Sequence, residues 1–425
     1  MFRGNAAHSG VFQTKAPKNL GVKWVFDTAT SPDLPGEAII GSPVVAGGVV
    51  YVGSNDNNLY AIDACSGKLK WKFATTGGLR GGGGNVASTP AVSGNIVYFM
   101  CNDGNFYAVD ATTGKVRWTY ATAGEHRCMG PGMLYAQPVN EIGPDLWDFY
   151  LSSPAILDGA VYFGCGDGNV YSLDAASGAL RWKFPTGNVV HASPAVANGT
   201  VYIGSFDSYF YALDAATGSL RWKFQTGVDL PSHLMMGLPG SAAVANGVVY
   251  FGCRDSNFYA LDAQTGRQRW AFNNGGSWVI ASPAVQNNIV YFVTSDSHKF
   301  EALDAQTGAE LYSLPYNIFA FSSPAIAGDR AYFGAFDGLL HEVNLTDRRY
   351  SGKYAVPGYS KNKEKWLKPD GQLNDNIWTG ETMDDAFYNI RAKMFTLGSI
   401  LSSPTVSDGV VYFSSVDGRV YALGE

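Results

Sequence analysis

The chain has 425 residues, 46% hydrophobic and only 16% charged, with a formal charge of −6 at pH 7. So mild a charge, with no basic stripe, argues against nucleic acid or an anionic membrane surface as a partner. No apolar run is long enough to span a bilayer and the opening MFRGNAAHSG has no hydrophobic leader core, so the sequence reads as a mature, soluble form.

The first recognisable element is Val-Lys-Trp-Val-Phe at 22–26, a strand pattern with Trp24 at its centre. From Ser42 onward a unit recurs, clearest at 193–224 as SPAVANGTVYIGSFDSYFYALDAATGSLRWKF. Its Pro-Ala-Val run precedes Asn198-Gly199, the pair that supplies two positive φ angles to a type I′ hairpin. TVYIG at 200–204 and FYAL at 210–213 are β-branched and aromatic, as pleated half-buried strands require. Asp214 and Gly218 mark the next turn, and the alternating LRWKF at 220–224 closes a four-stranded unit. The Ser/Thr start recurs at Ser42, Thr89, Ser153, Ser193, Ser241, Ser282, Ser323 and Ser403, and a strand-B tyrosine follows at Tyr51, Tyr98, Tyr162, Tyr202, Tyr250, Tyr291, Tyr332 and Tyr412. Eight such units at about 40-residue spacing predict an all-β, eight-bladed propeller of four-stranded antiparallel blades, one domain over 1–425. The last copy ends at Glu425 after its third strand, so the strand at 22–26 is expected to complete it and close the ring.

The pattern Asp-Ala-x-Thr-Gly-x-x-x-Trp, preceded by Val-Tyr-Phe-Gly-x-x-Asp-Gly-x-x-Tyr-Ala-Leu, resembles the pyrroloquinoline quinone (PQQ) enzyme repeat, and the resemblance covers nearly the whole chain. That family comprises quinoprotein alcohol dehydrogenases and cofactor-free propellers of the BamB-like assembly kind, and it implies the periplasm or cell exterior. A dehydrogenase of this kind needs a stacking platform for PQQ, oxygen ligands for Ca²⁺ and a carboxylate base. The adjacent Cys-Cys pair used by some members is absent, as is a Cys-x-x-Cys-His haem attachment.

Repeat-forming residues read as structural. The tryptophans Trp24, Trp71, Trp118, Trp182, Trp222 and Trp270 fill wedges between blades. The once-per-blade aspartates cap turns. Cys101, Cys165 and Cys253 occupy a slot filled elsewhere by Ser54, Ser205 and Ala335, so a small packing side chain is the expectation, with no disulfide between blades.

Residues that break the repeat carry the functional expectation. The long connectors, 74–87, 121–150, 228–240 and 346–400, all join a fourth strand to the next first strand, so they emerge on one face, called here the upper face. They offer His126, His233, Asp384 and Asp385 as catalytic candidates, and Arg80, Arg127, Trp147, Trp378 and Lys393 as ligand-binding candidates, joined by His191 and Trp278 from short connectors. Trp278 reads equally as a plug for the channel. Methionines gathered with His126, Cys128 and His233 have the softness of copper(I) ligands. No His-x-His or Cys-x-x-Cys spacing supports a site, methionine also fills adaptable apolar surfaces, and the metal is left open. The segment 381–393 is expected to form one helix, and Pro357-Gly358 and Pro369-Asp370-Gly371 to mark turns.

The favoured reading is a monomeric, noncatalytic propeller that binds a small molecule, protein or peptide through these loops. The alternatives are a PQQ- and Ca²⁺-dependent oxidoreductase, or a cofactor-independent enzyme built on the insertions.

Overall fold

The computed structural model describes residues 1–29, 37–75, 84–131, 142–227, 237–380 and 383–425. The strands form eight four-stranded antiparallel sheets, one of which gains a fifth strand, and a separate two-stranded sheet, Met129–Pro131 with Ile142–Pro144, in the 121–150 insertion. In blade four the strands are Ala195–Ala197, Thr200–Gly204, Tyr209–Asp214 and Leu220–Gln225. The first turn has Asn198 at φ 49° and Gly199 at φ 67°, the two positive angles expected of an Asn-Gly hairpin. The second strand is buried on both faces, whereas the outer strand alternates between exposed and half-buried, which grades each blade from axis to rim.

Every residue of the repeat motif has a contact that explains it. Asp214 Oδ1 accepts the amides of Ala216 and Thr217 and the Thr217 hydroxyl, fixing the turn, and Oδ2 takes Arg221 at 2.7 Å. The Ala215 carbonyl of that turn accepts both the Trp182 indole N–H at 2.9 Å and the Tyr162 hydroxyl at 3.1 Å from the preceding blade. Gly218, at φ 73°, lies flat on the Trp182 ring, and a Cβ there would come within 2.6 Å of it. The upper-turn aspartates are braced by a tyrosine four residues on, as in Tyr211 to Asp207 at 2.7 Å and Tyr107 to Asp103 at 2.6 Å.

The blades are joined at the axis by a closed hydrogen-bond circuit. The amide of each initiating Ser or Thr donates to the hydroxyl oxygen of the next: Ser42 to Thr89, Thr89 to Ser153, Ser153 to Ser193, Ser193 to Ser241, Ser241 to Ser282, Ser282 to Ser323, Ser323 to Ser403, and Ser403 back to Ser42. Blade eight is completed as expected: Val22–Asp27 pairs with Arg419–Gly424, placing Trp24 opposite Ala422. Cys101, Cys165 and Cys253 are buried free thiols.

Two features were not anticipated. The first twelve residues run as a strap around the inner edge of the ring. Carbonyls of Ala6, Ala7, Ser9 and Gly10 accept the inner-strand amides of Val196, Val244, Val285 and Ile326, one from each of blades four to seven, and Val11–Phe12 pairs parallel with Ala325–Ala327. Arg3 and His8 are buried there, and Arg3 Nη2 donates to the Pro283 carbonyl at 2.9 Å. The second is helix α1, Pro357–Trp366, where a turn at Pro357-Gly358 was expected. Proline at the first helical position needs no N–H partner and has φ preset for the helix, so Pro357 opens the helix instead of breaking it. The expected helix is α2, Met383–Thr396, and Gly371 at φ 87° forms the turn after Pro369.

Candidate functional site

Two of the connectors that break the repeat, 121–150 and 346–400, meet over the channel mouth. Residues 145–151, the short connectors around Trp278 and Ile318, and the helical insertion after blade seven share one apolar cluster. Trp147, Phe149, Trp278, Phe321, Phe336, Phe387, Ile390 and Met394 are all buried in it. Two long-range hydrogen bonds fasten the 121–150 and 346–400 insertions together: Arg391 Nη1 donates to the Leu146 carbonyl at 2.7 Å, and the Tyr150 hydroxyl to the Leu401 carbonyl at 2.9 Å. Below this cap lies a small axial cavity of about 40 Å³, bounded by the hydroxyl circuit, by Phe2 from the strap and by Tyr150 and Phe321 above.

Beside the cap is a buried ionic clasp. The His191 ring is held by Asp148 Oδ1 at Nδ1 and by Glu125 Oε1 at Nε2, both at 2.7 Å, and all three side chains are buried. Glu125 Oε1 also accepts the Gly166 amide, and Asp148 Oδ2 the Cys128 amide. Burial pulls the imidazolium down, but the two carboxylates outweigh it and push His191 up to about 10. Burial raises the Asp148 carboxyl, yet the charge and hydrogen bond of His191 leave it below the ordinary value. A second buried pair, Arg254 with Asp145, adjoins it, and the guanidinium lies 4.8 Å from the Trp278 ring and 5.3 Å from Phe206. Asp145 Oδ1 in turn accepts the Trp147 amide, so this one carboxylate fixes both the arginine and the tryptophan of the cap.

The expected site residues separate into groups. His126 and Arg127 are exposed and line a pocket of about 230 Å³ with Asn85, Asn102, Phe149 and Tyr150, and the clasp forms its floor. His191 lies in that floor, committed to two carboxylates. Trp147 is 6% exposed with five phenylalanine rings at 5.9 to 6.4 Å, and Trp278 is 4% exposed. The Lys393 ammonium donates to the Ile377 carbonyl at 2.9 Å and to Thr379 Oγ1 at 2.7 Å, tying α2 to the segment before it. Trp378 is 45% exposed and packs edge-on against Phe387. Asp385 is an exposed residue of α2, and Asp384 is placed in the same helix by its backbone. Arg80 and His233 lie outside the described residues. The acidic partners Glu125, Asp145 and Asp148 and the cation Arg254 were missed as a network. Their one signal was that charged side chains with apolar neighbours break the repeat.

The PQQ expectation was tested against these residues. A fused three-ring quinone needs an open aromatic face, but Arg254 covers Trp278 and phenylalanines surround Trp147. Among the described residues no three His, Cys, Asp or Glu side chains are arranged to hold a metal ion. The described side chains at the channel mouth do not fit the group.

The exposed surface singles out the same face. Ten large apolar side chains are exposed among the described residues. Seven are scattered along outer strands, and the other three, Met129, Trp378 and Tyr388, belong to the two fastened insertions.

The family model described as outer membrane protein assembly factor BamB matches residues 31–130, 139–273 and 232–366. The crystal structure of BamB from Moraxella catarrhalis is similar with a TM-score of 0.67 at 16% identity, over 96% of this chain and 100% of that one. A europium-containing methanol dehydrogenase superposes with a TM-score of 0.69 at 14% identity, over 100% of this chain and 97% of that one. The quinohemoprotein alcohol dehydrogenase from Comamonas testosteroni gives 0.68 at 14% identity, over 100% and 80%. No curated protein sequence matches the chain.

Proposed function

The chain belongs to the family of the outer membrane protein assembly factor BamB, and from that premise we propose that it is a noncatalytic docking propeller of the periplasm whose upper face receives a protein partner. The observation that carries this reading is the placement of Met129, Trp378 and Tyr388, exposed where two insertions are joined by Arg391. Exposed Trp, Tyr, Met and Arg on a rigid support are the composition of an interface centre. No described helix is long and apolar enough to cross a membrane.

The clasp disfavours His191 as a general base. A histidine held at about 10 stays an imidazolium at neutral pH and cannot take up a proton.

The test is a photoreactive residue placed at position 378 or 388, compared with position 180 on an outer strand. Capture of one discrete partner from the upper face alone is expected; equal capture at both places, or none at the upper face, overturns the reading. PQQ with Ca²⁺ is expected to give neither a retained quinone absorbance nor dye-linked alcohol oxidation, and the appearance of either removes the noncatalytic part.

A further inference from the structure

We infer that the pocket beside the clasp is a receptor for a carboxylate group, an inference that rests on the docking reading and names what the partner presents there. Above the clasp of Glu125, Asp148 and His191, the pocket of about 230 Å³ is lined by polar Asn85, Asn102, His126 and Arg127 and by Phe149, Tyr150 and Leu151.

Its charge is decided by which groups are already committed. Glu125 and Asp148 share the single imidazolium of His191, and Asp145 is spent on Arg254, so three carboxylates meet two cations and the floor keeps one negative charge, which the guanidiniums of Arg127 and Arg391 above it exceed. Arg127 and Arg391 have no carboxylate partner among the described residues. They are close enough that burial and the charge of Arg127 together lower the pKa of Arg391. Arg391 spends Nη1 on a backbone carbonyl and stacks on Tyr388 at 5.0 Å, whereas Arg127 has no such commitment among the described residues.

Among the described residues, the side-chain amides of Asn85 and Asn102 and the His126 ring have no hydrogen-bond partner. A guanidinium with a planar fork of donors, flanked by two amides and an imidazole, matches a carboxylate, and the phenyl wall of Phe149 gives its apolar body a surface. The same chemistry reaches the pocket as a free small acid or as the terminal carboxylate of a chain.

Titration calorimetry of the intact protein decides it. Benzoate is expected to bind saturably and benzamide, its uncharged counterpart, about tenfold or more weaker, since a charge-assisted pair is lost. Arg127→Ala is expected to lower benzoate affinity by a similar factor, with Arg127→Lys in between because a point charge replaces the fork. N-acetylphenylalanine against its amide is the second arm: whichever acid, benzoate or the acetylated residue, binds more tightly identifies the source as small molecule or chain end. Equal binding of benzoate and benzamide, no saturable binding of either acid, or an Arg127→Ala variant that binds as the parent does, overturns the inference. Trp378→Ala, which lies outside the pocket, is expected to lose partner capture and keep benzoate binding, so failure of the docking reading shows separately.

Discussion

The ring and the cap solve the same problem, burying polar groups beside apolar ones, by opposite means. In the ring each polar contact is local or one blade away and recurs: aspartate to turn amides, tryptophan and tyrosine to one alanine carbonyl, serine to serine. In the cap the buried ionic contacts are each made once and join distant parts of the chain, His191 to Glu125 and Asp148 and Arg254 to Asp145, as does the hydrogen bond from Arg391 to Leu146. Redundancy makes the ring tolerant of single losses. The cap has no second copy of anything, so single losses there are severe.

The largest expected effect comes from the cap. Asp145→Ala breaks the buried ion pair with Arg254 and should cost about 3–5 kcal/mol, read by denaturant unfolding with tryptophan fluorescence because Trp147 and Trp278 sit beside the pair. A loss under about 1 kcal/mol would break the comparison. Next comes pH. The folded-state value of His191, about 10, lies above the ordinary 6.5, so its protonated form adds stability that is complete below about 6.5 and lost as pH climbs through about 10. Asp148, held below 3.8, adds stability present above that value and lost as pH falls through its lower folded value. His191→Gln should therefore flatten the alkaline limb of the stability–pH curve, and an unchanged limb would place the titration elsewhere.

Ring substitutions should do less. Gly218→Ala combines a positive φ with a Cβ 2.6 Å from the Trp182 ring, and about 1–3 kcal/mol is expected, measured as a shift in the unfolding midpoint. Ser193→Ala removes one acceptor from a circuit of eight and should cost about 1 kcal/mol. Trp378→Ser, exposed at the rim of the cap, should stay within about 0.5 kcal/mol while abolishing partner capture, which would sharpen the contrast between a cap residue that holds the cap and one that is displayed by it.

The same contrast explains what could be read before the structure. Blade number, strand order, ring closure by the strand expected at 22–26 and the turn role of the aspartates followed from spacing, because repeat contacts have fixed sequence separations. Nothing in the spacing relates Glu125 to His191 or Arg254 to Asp145, since a contact made once leaves no period to detect. His126, Arg127, His191, Trp147 and Trp278 could be nominated as repeat breakers, yet whether each faces solvent or is covered depends on how two insertions pack. Pro357 misled because proline both ends and opens helices, and only the chain after it decides which. The strap was invisible because its bonds use backbone carbonyls, which any residue supplies.

That strap also sets a timetable. Its acceptors serve amides at Val196, Val244, Val285 and Ile326, and the strand behind it waits for Arg419–Gly424. In a chain made from its N-terminus, the strap therefore waits for blades four to seven, and Val22–Asp27 waits longer still, for Arg419–Gly424. Contacts of such sequence separation form slowly, so the step that closes the ring is expected to come late in folding.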